Sequence, residues 1–317
     1  MEIIPYLLFL VGCVFIIKGG DFFVEAAIWI ARVTGISEVL IGATVVSVGT
    51  TLPELTVSVI SSYQGMASMA IGNAVGSTIC NVGLVLAISC IIRPSRIQSR
   101  FFHLKGIILI VYTLLVWKFS VKGEWLSAKD GWLMLLLFLV YLTLDYIVVK
   151  HKASIKVPTL YKPGDSKEWR GHLFRFVVGL VLILIGAQLL IKYGIEIARF
   201  WGVPEGVIAL TIISIGTSLP ELVTTLTAAM KGHENLSVGN ILGANIFNLT
   251  LVLGASALAG PLSVSRQSIV FDIPISLFLA ITLVVPGIIT KTISRLRAFI
   301  LLAGYVTYLA ALFFVYG

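Results

Sequence analysis

Charge is what this sequence has least of. Only 12% of its 317 residues are Asp, Glu, Lys or Arg, about half the share of a soluble domain. With 58% hydrophobic residues and a mean hydropathy of +1.03, the chain has too little polar surface to coat a globule in water. That excludes a soluble enzyme, a disordered tail and a nucleic-acid binder. Cysteine is also scarce: Cys13, Cys80 and Cys90 lie in apolar stretches and form no CxxC pair. Neither zinc nor a disulfide framework is indicated, and the three read as reduced packing residues. The four histidines (His103, His151, His172, His233) fall in or beside predicted loops, and no HExxH occurs, which argues against a zinc protease. No basic region precedes the apolar run that begins at Ile3. The run continues to Arg32, longer than the core of a removable signal peptide.

Long apolar runs are what the chain has in abundance. A membrane-spanning helix needs roughly 20 mostly apolar residues. Ten such segments are predicted, at 4–32, 36–62, 67–92, 104–118, 130–149, 173–200, 204–230, 236–260, 269–289 and 297–315. The first and sixth exceed the bilayer thickness and are expected to tilt. The longest loop, 150–172, is rich in Lys and carries a Lys-Pro-Gly turn at 162–164. It divides the chain into a first half at 1–149, a linker at 150–172 and a second half at 173–317.

The halves repeat each other. Gly49-Thr50-Thr51-Leu52-Pro53-Glu54-Leu55 returns as Gly216-Thr217-Ser218-Leu219-Pro220-Glu221-Leu222. Gly72-Asn73-Ala74-Val75-Gly76 returns as Gly239-Asn240-Ile241-Leu242-Gly243, and Asn81 as Asn248. The offset is always 167 (221−54, 239−72, 248−81). Laying 35–89 on 202–256 without a gap gives 21 identities in 55 positions. They concentrate on Gly, Asn, Thr, Pro and Glu, which a lipid-facing helix avoids.

Five spans per half is an odd number, so the second half is expected to enter the membrane from the opposite side. Fold class follows: an all-α integral membrane protein with ten transmembrane helices as two inverted five-helix repeats. The basic residues agree. Loops after odd-numbered spans, with the span ends that border them, hold 15 Lys and Arg, and the other side holds 5. By the positive-inside rule the linker is cytoplasmic and both termini lie outside, as in a multi-pass plasma-membrane protein.

Inverted repeats with broken helices are the usual build of secondary transporters, with the site at mid-membrane between the repeats. An ionised carboxylate in hydrocarbon costs at least ~2.5–3.5 kcal/mol on insertion scales. Glu54 and Glu221 lie at equivalent depths, and neither motif helix contains a Lys or Arg to compensate them. A bound cation is the simplest compensation. Ser47, Thr50, Thr51 and Glu54 recur at i, i+3, i+4 and i+7, on one helical face. Ser214, Thr217, Ser218 and Glu221 repeat that face. Pro53 and Pro220 have no N–H, so the carbonyls of Gly49 and Gly216 lose their helical donors. Ser77, Asn81 and Asn248 on the following helices complete an oxygen-only set, with Asn73 and Asn240 as either ligands or interhelical ties. Hard oxygen donors suit Ca²⁺ and similar cations. Gly72 with Gly76, and Gly239 with Gly243, are expected to permit close helix approach. Lys18, Asp21 and Glu25 on the first span, and Lys192 and Glu196 on the sixth, are read as patches neutralised within one helix, the alternative being a sliding helix whose polar patch faces the ion path.

At these residues the sequence resembles the Ca²⁺/cation antiporter superfamily, in particular its Na⁺/Ca²⁺ exchanger branch. The matching motifs are G-T-[TS]-L-P-E at 49–54 and 216–221, and G-N-x-x-G-x-x-x-x-N at 72–81 and 239–248. The resemblance implies Na⁺ and Ca²⁺ as the transported ions, a shared site, alternating access, no cofactor, and ligands on the second, third, seventh and eighth helices. Two departures stand out. Gly243-Ala244-Asn245 replaces the family's usual Gly-Ser-Asn, removing the hydroxyl equivalent to Ser77. Asn248 stands where potassium-dependent members carry Asp, which implies K⁺-independent, electrogenic exchange. The short linker leaves no room for regulatory domains, and no protein partner is implied beyond the lipid bilayer. The alternatives are a Ca²⁺/H⁺ or other divalent cation exchanger and, from a different class, an intramembrane enzyme or receptor. The second is weakened by the lack of a metal triad, a nucleophile–base pair or a cofactor motif.

Overall fold

The computed structural model describes residues 3–97, 100–154, 166–202 and 214–316. Helices α1 (Ile4–Thr34), α2 (Glu38–Ile41), α3 (Ser47–Thr50), α4 (Leu52–Tyr63), α5 (Ala67–Cys80), α6 (Ala87–Ile92), α7 (Arg100–Gly123) and α8 (Ala128–Ser154) form the first half. The second half contains α9 (Ser166–Phe200), α10 (Ser214–Gly216), α11 (Leu219–Met230), α12 (Glu234–Phe247), α13 (Leu253–Ala259), α14 (Ile273–Thr290) and α15 (Arg295–Tyr316). Two-residue strands β1 (Ser95–Arg96), β2 (Trp125–Leu126), β3 (Leu262–Ser263) and β4 (Thr292–Ile293) cap the turns. The protein is an all-α integral membrane protein. Eight helices among the described residues are long and apolar enough to cross a bilayer, and the bent pair Glu38–Thr50 and Leu52–Tyr63 makes a ninth. The expected span at 204–230 is described from residue 214 onward, and its first part lies outside the described residues. The helices run further than their apolar cores. The expected 104–118 segment extends over Arg100–Gly123, and the expected linker is narrowed by α8 reaching Ser154 and α9 starting at Ser166.

Local chemistry sets the breaks. Gly35 takes a left-handed φ of 68° and ends α1, a conformation that costs glycine nothing. Pro53 sits in the first turn of α4 and Pro220 in that of α11, where the missing N–H is tolerated. The chain turns by 46° between α3 and α4. Element bounds recur at the sequence offset: α4 maps onto α11 and α5 onto α12, residue for residue at both ends (219−52, 230−63, 234−67, 247−80). Both inner helices then pass into a π-helical turn that starts at the matching asparagine, Asn81–Leu86 and Asn248–Val252. A third π turn, Gly42–Val46, interrupts the second span.

The spans built on α5–α6 and α12–α13 are more enclosed than any other spanning helix among the described residues. Their aliphatic faces meet in one core that includes Ile71, Ile79, Leu86, Ile241, Leu242 and Leu253. Gly239 lies against Val39, and Gly243 against Ala43 and Ser47, so α12 and the second span touch backbone to backbone as the small-residue pair requires. The expectation for Gly72 and Gly76 is not met, because a Cβ at either meets nothing within 4 Å. Helices α1 and α9 pack antiparallel. Gly12 faces Gly186, Gly19 faces Gly179, Phe23 meets Phe176, and Trp29 stacks on His172.

Turns gather at two opposite ends. At one, β1 pairs with β4, Arg93 meets Glu234 at 2.5 Å, and His233 meets Glu38 at 2.7 Å. Helix α7 leads from there to the other end, where β2 pairs with β3. The α1 charges do not neutralise one another as expected. Asp21 and Glu25 instead pair with Lys231, at 3.0 and 2.8 Å, at the end of α11. The i, i+3, i+7 spacing put them on one face, and a partner on another helix reached that face first. Lys192 lies over the Tyr193 ring, 5.2 Å from its centroid.

Candidate ion-binding site

The breaks in the two motif helices place Glu54 and Glu221 in the first turns of α4 and α11, both fully buried. Each carboxylate accepts a hydroxyl from the opposite half. Thr51 donates to Glu221 Oε1 at 3.3 Å, and its counterpart Ser218 donates to Glu54 Oε1 at 3.4 Å. Ser77 lies 3.5 Å from the same Glu54 oxygen and 3.2 Å from the Ser218 hydroxyl. The second oxygen of each carboxylate, Oε2, is buried with no hydrogen-bond partner. Among the described residues neither carboxylate is in an ion pair.

A layer of asparagines lies beside the acids. Asn81 donates to Asn245 Oδ1 at 3.0 Å, and Asn245 donates to the Thr78 carbonyl at 3.1 Å. Asn81 Oδ1 and both polar atoms of Asn248 are buried without partners. An unmet buried polar atom costs about 1–3 kcal/mol, so the four buried oxygens left without partners, one on each of Glu54, Glu221, Asn81 and Asn248, mark a cage suited to something that supplies positive charge. Asn73 and Asn240 are the interhelical ties. Asn73 donates to the Glu54 carbonyl at 3.1 Å and to Ser58 at 2.9 Å, while Asn240 donates to Thr224 at 3.0 Å and Thr225 at 3.1 Å.

The remaining predicted residues divide. Thr50 is fully buried, with its hydroxyl 3.4 Å from Asn240 Oδ1. Ser47 is buried and donates to the Gly42 carbonyl at 2.8 Å, a bond within its own helix. Thr217 is half-buried. It lines a cavity of about 250 Å³ with Pro53, Thr56, Gln188, Gly216 and Pro220. The side chain of Ser214 lies outside the described residues. Asn245 joins the cage although sequence reasoning left it out. Its repeat partner is Thr78, so no matched asparagine signals it. The two acids are not equivalent: Glu54 has Ser77 beside it, whereas the matching position near Glu221 is Ala244.

The described residues contain no group of three His, Cys, Asp or Glu that could hold a metal ion. Two carboxylates, with hydroxyl and amide oxygens, instead form a hard, weakly charged cage that suits labile binding of Na⁺ or Ca²⁺. Such a cage between broken helices in an apolar bundle defines a membrane cation transporter.

Comparison with known sequences narrows the class to a family. The pattern of the sodium/calcium exchanger protein family matches residues 4–147 and again 171–314, two stretches related by the same 167-residue offset. The chain is 31% identical to sodium/calcium exchanger MaX1 of Methanosarcina acetivorans, an alignment covering 99% of this chain and 100% of that protein. It is 33% identical to inner membrane protein YrbG of Escherichia coli, over 80% of this chain and 79% of that protein. The fold matches the sodium-calcium exchanger NCX_Mj with a TM-score of 0.86 and 29% identity, covering 98% of this chain and 100% of that one. The chain belongs to the sodium/calcium exchanger family, and is a membrane transporter rather than an enzyme.

Proposed function

We propose that this protein exchanges Na⁺ for Ca²⁺ across the plasma membrane through one site built from both halves, by alternating access. The observation that carries this reading is the crossed pair, in which each buried glutamate takes a hydroxyl from the other half and keeps one oxygen free. Glu54 and Glu221 are the anionic ligands. Thr51, Ser218, Ser77, Asn81 and Asn248 supply neutral oxygens, and Thr50 and Thr217 stand beside them. Ser47 holds its own helix, and Ser214 is carried as a ligand by its repeat position alone. Competition for the same two carboxylates couples the ions, since a Ca²⁺ and a full set of Na⁺ cannot be held together.

The architecture in this reading is ten transmembrane helices in two inverted five-helix halves, 1–149 and 173–317. The antiparallel α1–α9 pairing supports it, as do the ties between turns. Among the described residues, ties join loops or helix ends of the same predicted side: β1 with β4, β2 with β3, Arg93 with Glu234, and His233 with Glu38. With the positive-inside rule, the basic loops put both termini outside in this reading. Two glutamates match one Ca²⁺, so exchange for more than two Na⁺ moves net charge. Among the described residues no further acid joins Glu54 and Glu221 to recruit K⁺. The test is ⁴⁵Ca²⁺ uptake into proteoliposomes loaded with Na⁺ and diluted into Na⁺-free medium. Uptake driven by the Na⁺ gradient supports the proposal. Uptake driven equally by a pH gradient without Na⁺ would assign it to Ca²⁺/H⁺ exchange.

A further inference from the structure

One buried ion pair lies outside the cage and is not used by the exchange reaction. Lys105, at the start of the expected 104–118 span, is inside α7 and only 1% exposed. Its ammonium lies 2.6 and 2.9 Å from the two oxygens of Asp145 on α8, and donates to the Tyr141 hydroxyl at 2.6 Å. The Tyr141 hydroxyl in turn donates to the carbonyl of Ala43 at 2.7 Å. Ala43 belongs to the π turn Gly42–Val46. A π turn carries one more residue than an α turn and disturbs the ladder of carbonyl acceptors around it.

Lys has donors only, so the Tyr141 oxygen accepts from it, and the hydroxyl hydrogen is left for the Ala43 carbonyl or for Asp145 in the same cluster. Charge assistance shortens and strengthens such bonds. On its far side Tyr141 meets Phe247 edge to face, with ring centroids 5.9 Å apart, and Phe247 immediately precedes Asn248. Ala43 stands one turn before Ser47 and leads into Thr50, Thr51 and Glu54. Gly243 presses on Ala43 from α12. Tyr141 therefore touches the roots of both helices that converge on the cage. The second half does not copy this brace. Tyr308 matches Tyr141 at the 167-residue offset, but Asp272 stands where Lys105 does, and Tyr308 donates to that carboxylate at 3.1 Å.

We propose that Tyr141, oriented by the Lys105–Asp145 pair, is a positioning residue that holds the π turn at Gly42–Val46 and so sets the register of the Thr50–Glu54 ligand stretch. The inference rests on the reading of Glu54 and Glu221 as the Ca²⁺ site. Tyr141→Phe removes one hydroxyl and keeps the aromatic packing. The expected result is a rise in the Ca²⁺ concentration for half-maximal exchange on the order of ten-fold, the scale of one lost buried hydrogen bond, with the maximal rate kept within two-fold. Tyr112→Phe is the control, because its hydroxyl donates to the Leu137 carbonyl at 3.0 Å, on a helix that carries no ligand. It should leave half-saturation unchanged. A second variant, Lys105→Met with Asp145→Leu, keeps the hydroxyl and removes what orients it. A smaller rise in the same direction is expected, and it serves if Tyr141→Phe does not fold. Half-saturation within two-fold of wild type in Tyr141→Phe, or in the paired variant where only that one folds, overturns the proposal. So does an equal shift in Tyr112→Phe. Wild-type protein that takes up no Ca²⁺ under a Na⁺ gradient would instead defeat the reading of the site.

Discussion

At the scale of single residues, two carboxylates dominate because the rest of the cage is neutral. A bound cation would offset their cost in a bilayer, which supports reading them as a site and not as a structural pair. The cross-donation by Thr51 and Ser218 means neither half holds a complete set of ligands. The repeat also exposes where the set is uneven. Ser77 stands beside Glu54, and Ala244 occupies the equivalent place near Glu221. Ala244→Ser should add a hydroxyl there and lower the Na⁺ concentration for half-maximal exchange by about two- to ten-fold, the range of one hydrogen bond. Na⁺ titration of ⁴⁵Ca²⁺ uptake measures it, and an unchanged or weaker Na⁺ response would show that this hydroxyl is not missing from a Na⁺ site. Most of the cage could be read from sequence, because the duplication marks its members twice. Asn245 escaped because its partner is a threonine. Ser47 shares the spacing of that face, and spacing alone does not reveal that its hydroxyl also donates to its own helix.

At the scale of elements, the fold depends on how closely α12 approaches the second span. Gly239 and Gly243 lie on the backbone of Val39 and Ala43, and a methyl group at 243 would overlap Ala43 and Ser47. Gly243→Ala should lower thermal stability by ~1–3 kcal/mol, the usual cost of overpacking, and reduce folded yield. Gly76→Ala, where a Cβ meets nothing within 4 Å, should be neutral or stabilising by up to ~1 kcal/mol, since alanine favours helix. Thermal unfolding of the purified variants in detergent decides, and equal losses in both would contradict the packing described. The spans were legible from hydropathy to within a few residues at most ends, and the break at Pro53 from proline chemistry. The π turns were not, because nothing in composition separates a five-residue turn from an α turn. The Lys105–Asp145 pair was hidden as well. Lys105 lies near the start of its helix, where a lysine normally reaches water, and its partner is 40 residues away.

At the scale of the whole molecule, the proposed mechanism is founded on the duplication: two halves of opposite orientation would present one site to either side in turn. Orientation itself is testable: a reporter fused after Gly317 should be active only if it works outside the cytoplasm, and cytoplasmic labelling of a cysteine placed there would overturn the inverted arrangement. Moving Lys105 from a span end to the interior changes the basic count from 15 against 5 to 14 against 5, which leaves the orientation as it was. Two carboxylates and neutral amides at Asn81 and Asn248 predict exchange that carries current and needs no K⁺. Under a clamped membrane potential, Na⁺-driven Ca²⁺ flux should respond to voltage and persist when K⁺ is replaced by an inert cation. An absolute K⁺ requirement, or indifference to voltage, would mean the charges of the site are miscounted. The central claim is that one cage, closed by Glu54 and Glu221 together, serves both ions. Equilibrium binding of ⁴⁵Ca²⁺ to the purified protein over a range of Na⁺ concentrations tests it most directly. The account predicts that Na⁺ displaces the bound Ca²⁺ competitively, and that Glu54→Gln and Glu221→Gln each abolish that binding in folded protein. Ca²⁺ retained at wild-type affinity by either variant, or held undisturbed at saturating Na⁺, would contradict it.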